Sequence, residues 1–274
     1  MSGEEEAWIV WNGELRENGP IPVDPLSDGW LYGYNCFETM AWTGGKLRFL
    51  EDHWERLART ATAMGLGPAP GRGVIARAAE QLAERNRLPA GVARLSLHRG
   101  RGRMDWLLRL RPEPRVEAVP PSLRTCFPSM PHPGFSPMSA WKDGNYVAHL
   151  LAHREARSRA YDEALLARSG EIVEGALSNF FVWRKGELQT PPLSSGALPG
   201  VVRERLLRIG AGGGAGGLRA REARVRVADL REAEAVYLSN ALLPLVPVRE
   251  VEGHPWEPRH DPAAPLREAL LAEA

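Results

Sequence analysis

Lysine is almost missing from this chain. Of 35 basic side chains only Lys46, Lys142 and Lys185 are lysines, and every other one is an arginine. Lys46 and Lys185 stand in Gly-marked turns, "TGGKLRF" and "WRKGELQ", where an ammonium group stays in water. Lys142 instead follows Trp141 and precedes an apolar helical run, so this position asks for a primary amine beside apolar neighbours. Cysteine is scarce too. Cys36 and Cys126 cannot build a disulfide framework, and a reducing, cytoplasmic setting is expected. No apolar run approaches a membrane span, and the start "MSGEEEA" is acidic where a signal peptide would be basic and then apolar. Excess charge is lacking as well: a net +1 excludes a global basic field for nucleic acid or an anionic membrane surface.

What is present is the composition of a globular protein. In 274 residues, 43% are hydrophobic and 25% charged, enough apolar material for one large domain or two ordinary ones. Two-residue turns predict hairpins at "AWIVWNGELRE", "CFETMAWTGGKLRFL" and "SNFFVWRKGELQTP", and "EALLARSGEIVEG" reads as strand–turn–strand about Ser169-Gly170. Trp54, Leu57, Ala61 and Met64 recur at helical spacing, and further helices are expected over about 73–86, 145–160, the stretch after Pro199, and "APLREALLAEA". Strands are expected near 92–98 and 105–111 and at "RVRVA". The proline-rich "RPEPRVEAVPP" reads as a linker. Strands and helices alternate on both sides of it, which predicts two α/β domains, residues 1–115 and 116–274.

Several motifs carry little. The glycine run at 211–217 follows a helix and precedes a strand, the reverse of a dinucleotide-binding loop, so a flexible connection is expected. His149 and His153 are four apart on one helix, but no third ligand stands beside them in sequence, and no metal site is expected. The tail "GHPWEPRHDP" reads as a polar turn, and no serine lies in a G-x-S-x-G elbow.

Four separated pieces carry chemistry when taken together. An amine held near apolar side chains, as at Lys142, loses its charged form and becomes a nucleophile toward carbonyls. Glu174, in "EIVEGALSNFFVW", stands between two strand-like runs and is able to hold a protonated ring nitrogen. "LPGVVRERLL" runs from a loop into a helix N-terminus at residues 198–202, a seat for a phosphate, to which Arg56 of "HWERL" can add a bidentate contact. A strand running into Ser239-Asn240-Ala241 offers a hydroxyl and backbone donors as a second clamp. A lysine, a carboxylate and an anion cradle are the parts of a pyridoxal 5'-phosphate (PLP) site.

The ordered motifs "GYNCFETM", "HWERL", "KDGN", "EGALSNFF", "TPPLSSGALPGVVR" and "YLSNALLPLVPV" resemble those of the fold-type IV PLP enzymes, or class IV aminotransferases, over nearly the whole chain. The resemblance implies a two-domain α/β (α+β) fold, with a smaller N-terminal α/β domain and a larger C-terminal domain carrying a barrel-like sheet. It implies PLP as cofactor, bound between the domains, and a homodimer. Lys142 would be the Schiff-base residue, Glu174 would face the pyridine nitrogen, and Arg56 would contact the phosphate. Leu198 would pack under the ring, and backbone groups of Val201, Val202, Asn240 and Ala241 would close the phosphate cup. Asn145 three residues after the lysine, and "SNALLPLVPV", resemble the 4-amino-4-deoxychorismate lyases, which release pyruvate and 4-aminobenzoate. "PPLSSGALPG" also resembles the branched-chain aminotransferases, and the D-amino-acid aminotransferases share the lysine–asparagine spacing. A PLP-binding protein without turnover is the third alternative. An anionic amino substrate is expected, with Arg99, Arg101 or Arg103 of "HRGRGRMD" reaching a carboxylate and Tyr34 at the substrate-facing wall.

Overall fold

The computed structural model describes residues 7–212, 214–256 and 261–274. The acidic start, one glycine of the run at 211–217 and four residues of the "GHPWEPRHDP" tail lie outside the described residues. The chain forms two compact units, residues 1–118 with 141–145, and residues 119–140 with 146–274. It therefore enters the second unit, returns to the first for five residues around Lys142, and leaves again.

The first unit is built on one sheet. Its strands are β1 (Trp8–Trp11), β2 (Glu14–Glu17), β3 (Asn35–Thr43), β4 (Lys46–Leu47), β5 (Gly91–Arg99) and β6 (Met104–Arg111), in the order β2-β1-β6-β5-β3-β4. The two-residue turn between β1 and β2 puts Asn12 and Gly13 at φ 51° and 91°, a geometry that suits the twist of an antiparallel pair and that Asn-Gly adopts at little cost. Helix α1 (Asp28–Leu31) is a single turn, whereas α2 (Leu50–Ala63) packs on β3 and α3 (Arg72–Arg85) on β1 and β6. Met40, Leu57, Ile75, Leu82, Leu95 and Leu108 form the centre of the core between them.

The buried stripe of α2 keeps Leu57, Ala61 and, just past its end, Met64, but is wider than expected. It comprises His53, Arg56, Leu57, Thr60 and Ala61, with Trp54 only half-buried. Two ionisable residues take inward positions because β3 supplies a carboxylate, Glu38, to meet them. Periodicity of apolar residues cannot find a helix face that is held down by charge. The stretch expected as a linker also differs: Pro114 opens a one-turn helix α4 (Pro114–Glu117), which buries Val116.

The second unit is a mixed sheet: β7 (Leu123–Cys126), β8 (Glu163–Arg168), β9 (Glu171–Gly175), β10 (Asn179–Arg184), β11 (Glu187–Thr190), β12 (Arg219–Glu222), β13 (Val225–Arg226), β14 (Ala235–Ser239), β15 (Val246–Val251) and β16 (His254–Pro255). Pairing runs β12-β11-β10-β14-β15-β7-β8-β9-β13, with β16 on β15. The helices are α5 (Val147–Ser158), α6 (Val201–Ala211), a turn α7 (Gly214–Gly217) and α8 (Ala264–Ala272). Part of the glycine run is thus helical rather than an irregular connection. "RVRVA" is a strand only at Val225–Arg226 and then becomes a 3-10 helix (Val227–Glu232). Phe180, Val182, Val236, Leu238, Val246 and Val248 alternate into one core, and Ala152 and Ala156 of α5 pack with Ala164 and Leu166 of β8 in another. Among the described residues no helix is long and apolar enough to cross a membrane.

Candidate active site

In the first unit Lys142 is stitched to the start of β3. The Phe37 N–H donates to the Lys142 carbonyl (2.9 Å), the Gly144 N–H donates to Asn35 (3.0 Å), and Asp143 sits opposite Cys36 as an isolated bridge. Half-buried Trp141 packs on the core beside it, and the Lys142 Nζ lies 4.6 Å above the Phe37 ring. The one lysine of the three that is not exposed is therefore tied to β3 through its backbone and steadied by an aromatic face.

One residue further along β3, Glu38 is fully buried. Arg56 donates to it from Nε (2.7 Å) and Nη2 (2.6 Å), and His53 Nδ1 lies 2.7 Å away. Burial alone pushes the Glu38 carboxyl up, but Arg56 and His53 outweigh it and hold the group at about 2. Burial pushes the His53 imidazole down, against the pull of Glu38. One edge of the Arg56 guanidinium is spent on Glu38, so a bidentate phosphate contact from that edge is not open to it. Glu38 and His53 carry no local signal of this pairing in the sequence, although both lie inside the motifs "CFETM" and "HWERL".

Tyr34, Arg99, Arg101 and Arg103 belong to this unit too. The Arg99 N–H donates to the Tyr34 carbonyl (3.0 Å) and its Nη1 to the Gly65 carbonyl (2.8 Å), while the Tyr34 hydroxyl donates to Met64. Arg101 and Arg103 are exposed at the β5–β6 loop, Arg101 near Asp24 (3.7 Å) and Arg103 on Asp105 (3.0 Å). Geometry therefore sets Arg99 apart from the other two.

In the second unit the remaining predicted residues form one connected set. Glu174 is buried at the end of β9, and its Oε2 accepts the Leu198 N–H (2.9 Å). The Leu198 carbonyl accepts from Asn179 Nδ2 (2.9 Å), and Asn179 stands directly across the β10–β14 ladder from Ser239. A Cβ built on Gly200 would lie 1.9 Å from Asn179 Oδ1, so only glycine admits this approach. Gly200 is the N-cap of α6, and no side chain caps that helix. The first-turn amides, Val201 and Val202 among them, carry the positive end of the helix dipole without a side-chain acceptor from the N-cap. Arg203 is buried one residue on, tied to the Pro191 carbonyl (2.9 Å) and to Glu222.

The second clamp is partly spent. The Asn240 N–H donates to the Leu243 carbonyl (3.0 Å), while Asn240 Oδ1 accepts from Leu242 (2.9 Å) and Leu243 (3.0 Å). Asn240 holds its own turn together, a use of Asn that its position in sequence does not announce. The Ser239 hydroxyl, in contrast, is fully buried with no partner among the described residues.

Glu174 has two neighbours that the sequence did not associate with it. His132 Nε2 and His149 Nε2 each lie 3.4 Å from its Oε1. Burial pushes the Glu174 carboxyl up, but the two imidazoles and the Leu198 amide more than offset it and hold the group below the usual range. His153 pairs with Glu163 instead (3.2 Å), so the i, i+4 histidines of α5 serve different carboxylates.

A family model, Amino-transferase class IV, matches residues 35–251. The chain belongs to the class IV aminotransferase family. It is 26% identical over 261 residues to the aminodeoxychorismate lyase of Bacillus subtilis (strain 168), a match covering 89% of this chain and 86% of that protein. To the branched-chain-amino-acid aminotransferase of Escherichia coli (strain K12) it is 36% identical over 122 residues, and that match spans 44% of this chain but only 38% of the length of that relative. Among solved structures it is similar to the branched-chain aminotransferase of the archaeon Thermoproteus uzoniensis with norvaline, at TM-score 0.84 and 25% identity over 96% of this chain and 93% of that one.

A PLP group makes particular demands of a class IV aminotransferase: an acceptor for a ring N–H, donors for a phosphate, and an amine. The second unit meets the first with a buried, ionised Glu174. It meets the second with an uncapped helix start behind a Cβ-intolerant Gly200 and an orphaned Ser239 hydroxyl. The first unit holds the amine. The residues of the second unit fit the ring and phosphate of the group, and the first unit has an amine suited to its aldehyde.

Proposed function

We propose that this class IV aminotransferase-family enzyme, with PLP as its cofactor, is a 4-amino-4-deoxychorismate lyase that releases pyruvate and 4-aminobenzoate. What carries the reading is the similarity to a lyase along nearly the full length of both chains, together with Asn145 three residues after Lys142 and the turn "SNALLPLVPV". When bound, PLP supplies an electron sink that takes up the charge left as a proton departs the substrate. Lys142 is the amine to which the cofactor is joined. Once released, it takes the proton from the ring carbon bearing the substrate amino group and returns one to the departing enolpyruvyl carbon. Glu174 accepts the pyridine N–H. The amides of Val201 and Val202 at the start of α6, with Ser239 and the Ala241 backbone, hold the phosphate, and Leu198 supports the ring. Arg56, held in place by Glu38 along one edge, contributes a phosphate contact from the rest of its guanidinium. Arg99, with Tyr34 beside it, binds a substrate carboxylate, and the active form is a homodimer in the cytoplasm.

The two products together contain every atom of the substrate, so this reaction needs neither water nor an amino acceptor. Purified protein given aminodeoxychorismate alone is expected to form pyruvate and 4-aminobenzoate in equal amounts. A second reading, an aminotransferase for branched-chain or D-amino acids, is favoured by the higher identity over the shorter match to the Escherichia coli enzyme. Transfer of the amino group from leucine or alanine to 2-oxoglutarate, with no 4-aminobenzoate formed, would establish that reading instead. Cofactor bound on Lys142 with neither product would leave a PLP-binding protein.

A further inference from the structure

The cluster His132, His149 and Glu174 brings three potential ligand atoms within 4.8 Å of one another. Its edges of 3.4 Å suit a metal as well as hydrogen bonds. The tautomer of His132 decides between them. Its Nδ1 accepts the Gly134 N–H at 2.9 Å, so Nδ1 has no proton and Nε2 carries it. A ligand nitrogen must be bare, and this one is a donor aimed at a carboxylate.

The His132 ring has no freedom to turn. The residue is 2% exposed, its backbone N–H donates to the Ala167 carbonyl (3.0 Å) and its backbone carbonyl accepts from Arg168 (3.2 Å). Gly134 lies at φ 94°, and a Cβ there would meet the Arg168 guanidinium at 2.9 Å. A Cβ on Gly196 would lie 2.9 Å from the ring carbon Cε1 of His132. "PHPG" and "SSGALPG" are thus folded around this imidazole, and the second of them also delivers the Leu198 N–H to the other oxygen of Glu174.

His149, in the first turn of α5, reaches the same Oε1. Its ring stacks on Tyr146 (centroids 4.8 Å) and stands edge-on to His132 at 6.2 Å, and its Nδ1 is buried without a partner among the described residues. Opposite a carboxylate, its Nε2 also acts as the donor. A carboxylate has about four acceptor places. Two imidazole N–H groups occupy Oε1 and one backbone N–H occupies half of Oε2, which leaves a single place.

We infer that His132 and His149 are positioning residues that hold Glu174 ionised and oriented, with its one remaining acceptor place on Oε2 reserved for the pyridine N–H of the cofactor. The inference rests on Glu174 being the pyridine partner. His132, locked as the Nε2–H tautomer, is the stronger of the two, because its other nitrogen is tied to backbone and that of His149 is not.

The test uses the full-length holoenzyme reconstituted with PLP carrying 15N in its ring. Its pyridine nitrogen resonance distinguishes protonated from bare nitrogen, and cofactor affinity is followed in parallel by fluorescence. In the wild type the nitrogen is expected to be protonated. His132→Leu and His149→Leu should each move the resonance toward the bare form and weaken cofactor binding about tenfold, the worth of one hydrogen bond to a charged group. His132→Gln, which places an amide N–H where Nε2–H was, should restore most of both. If His132→Leu does not fold, His149→Leu and His132→Gln carry the test, and a melting curve reports on folding for each variant. Glu174→Gln separates the two layers. If it leaves the resonance at the wild-type position, the pyridine role of Glu174 fails. If it moves the resonance while both leucine variants leave it in place, the role of the histidines fails. Zinc uptake by the cofactor-free protein that is lost in both leucine variants would overturn the donor assignment.

Discussion

Glu38 shows how a single residue can matter more than its visibility in sequence suggests. It is buried against the Arg56 guanidinium and the His53 imidazole, and removing its charge leaves the guanidinium uncompensated. Glu38→Gln is expected to destabilise the protein by about 3–5 kcal/mol in urea unfolding. The pH dependence has a definite sign. The folded carboxyl sits at about 2 against an ordinary 4.5, so its stabilisation is whole above the ordinary value and is lost as pH falls from about 4.5 toward 2. Acid titration of the wild type should show that loss, and the Gln variant should lack it. The nearby thiol behaves oppositely: burial, Glu38 and Asp143 push Cys36 up to about 12. A maleimide or disulfide reagent at pH 8 is expected to leave Cys36 unmodified until the protein unfolds. Lys142 and Glu174 are legible from residue type and neighbouring sequence. Glu38, His53 and His132 are not, because each owes its importance to a partner far along the chain.

Elements with strong local signals were well anticipated. The hairpin turns, α3, α5 and the β8–β9 pair lie within a few residues of the expected bounds, since each is written in a contiguous stretch: a two-residue turn or a run of apolar positions at one period. The face of α2 is legible only in part: Leu57, Ala61 and Met64 are buried at the expected spacing, but His53, Arg56 and Thr60 join them through contacts that apolar periodicity does not report. Helix α6 shows a further limit. Gly210 is unremarkable in a glycine-rich stretch, yet a Cβ there would meet the Ala220 backbone nitrogen at 2.3 Å and its Cβ at 2.4 Å. Helix propensity favours Gly210→Ala by about 1 kcal/mol, but backbone cannot step aside as a flexible side chain does. Overpacking costs typically about 1–3 kcal/mol, and at so close an approach the upper end applies. The variant is expected to melt lower than the wild type, and a higher melting temperature would show that α6 and β12 separate readily. At the other end of the same helix, Gly200→Ala should abolish cofactor binding while leaving far-ultraviolet circular dichroism unchanged, because the clash falls on one side-chain atom, Asn179 Oδ1, and not on backbone.

The molecule consists of two units with separate cores, and the chain visits the first one twice. The returning segment pairs with the start of β3 through the Phe37–Lys142 and Asn35–Gly144 hydrogen bonds. A fragment ending at residue 118 lacks that segment and is expected to unfold at lower denaturant than the same unit does in the intact chain, as followed by tryptophan fluorescence. Equal midpoints would show that residues 141–145 contribute nothing to the unit. Composition, turn chemistry and periodicity were enough to establish an α/β protein, most of its elements, and a lysine out of keeping with the rest of the chain, because these are properties of neighbouring residues. The assembly of His132, His149 and the Leu198 amide around one carboxylate, and of Arg56 and His53 around another, came only with folding. Those groups are separated by up to 66 positions (132 to 198), and no local preference links residues that meet solely because strands pair and helices pack.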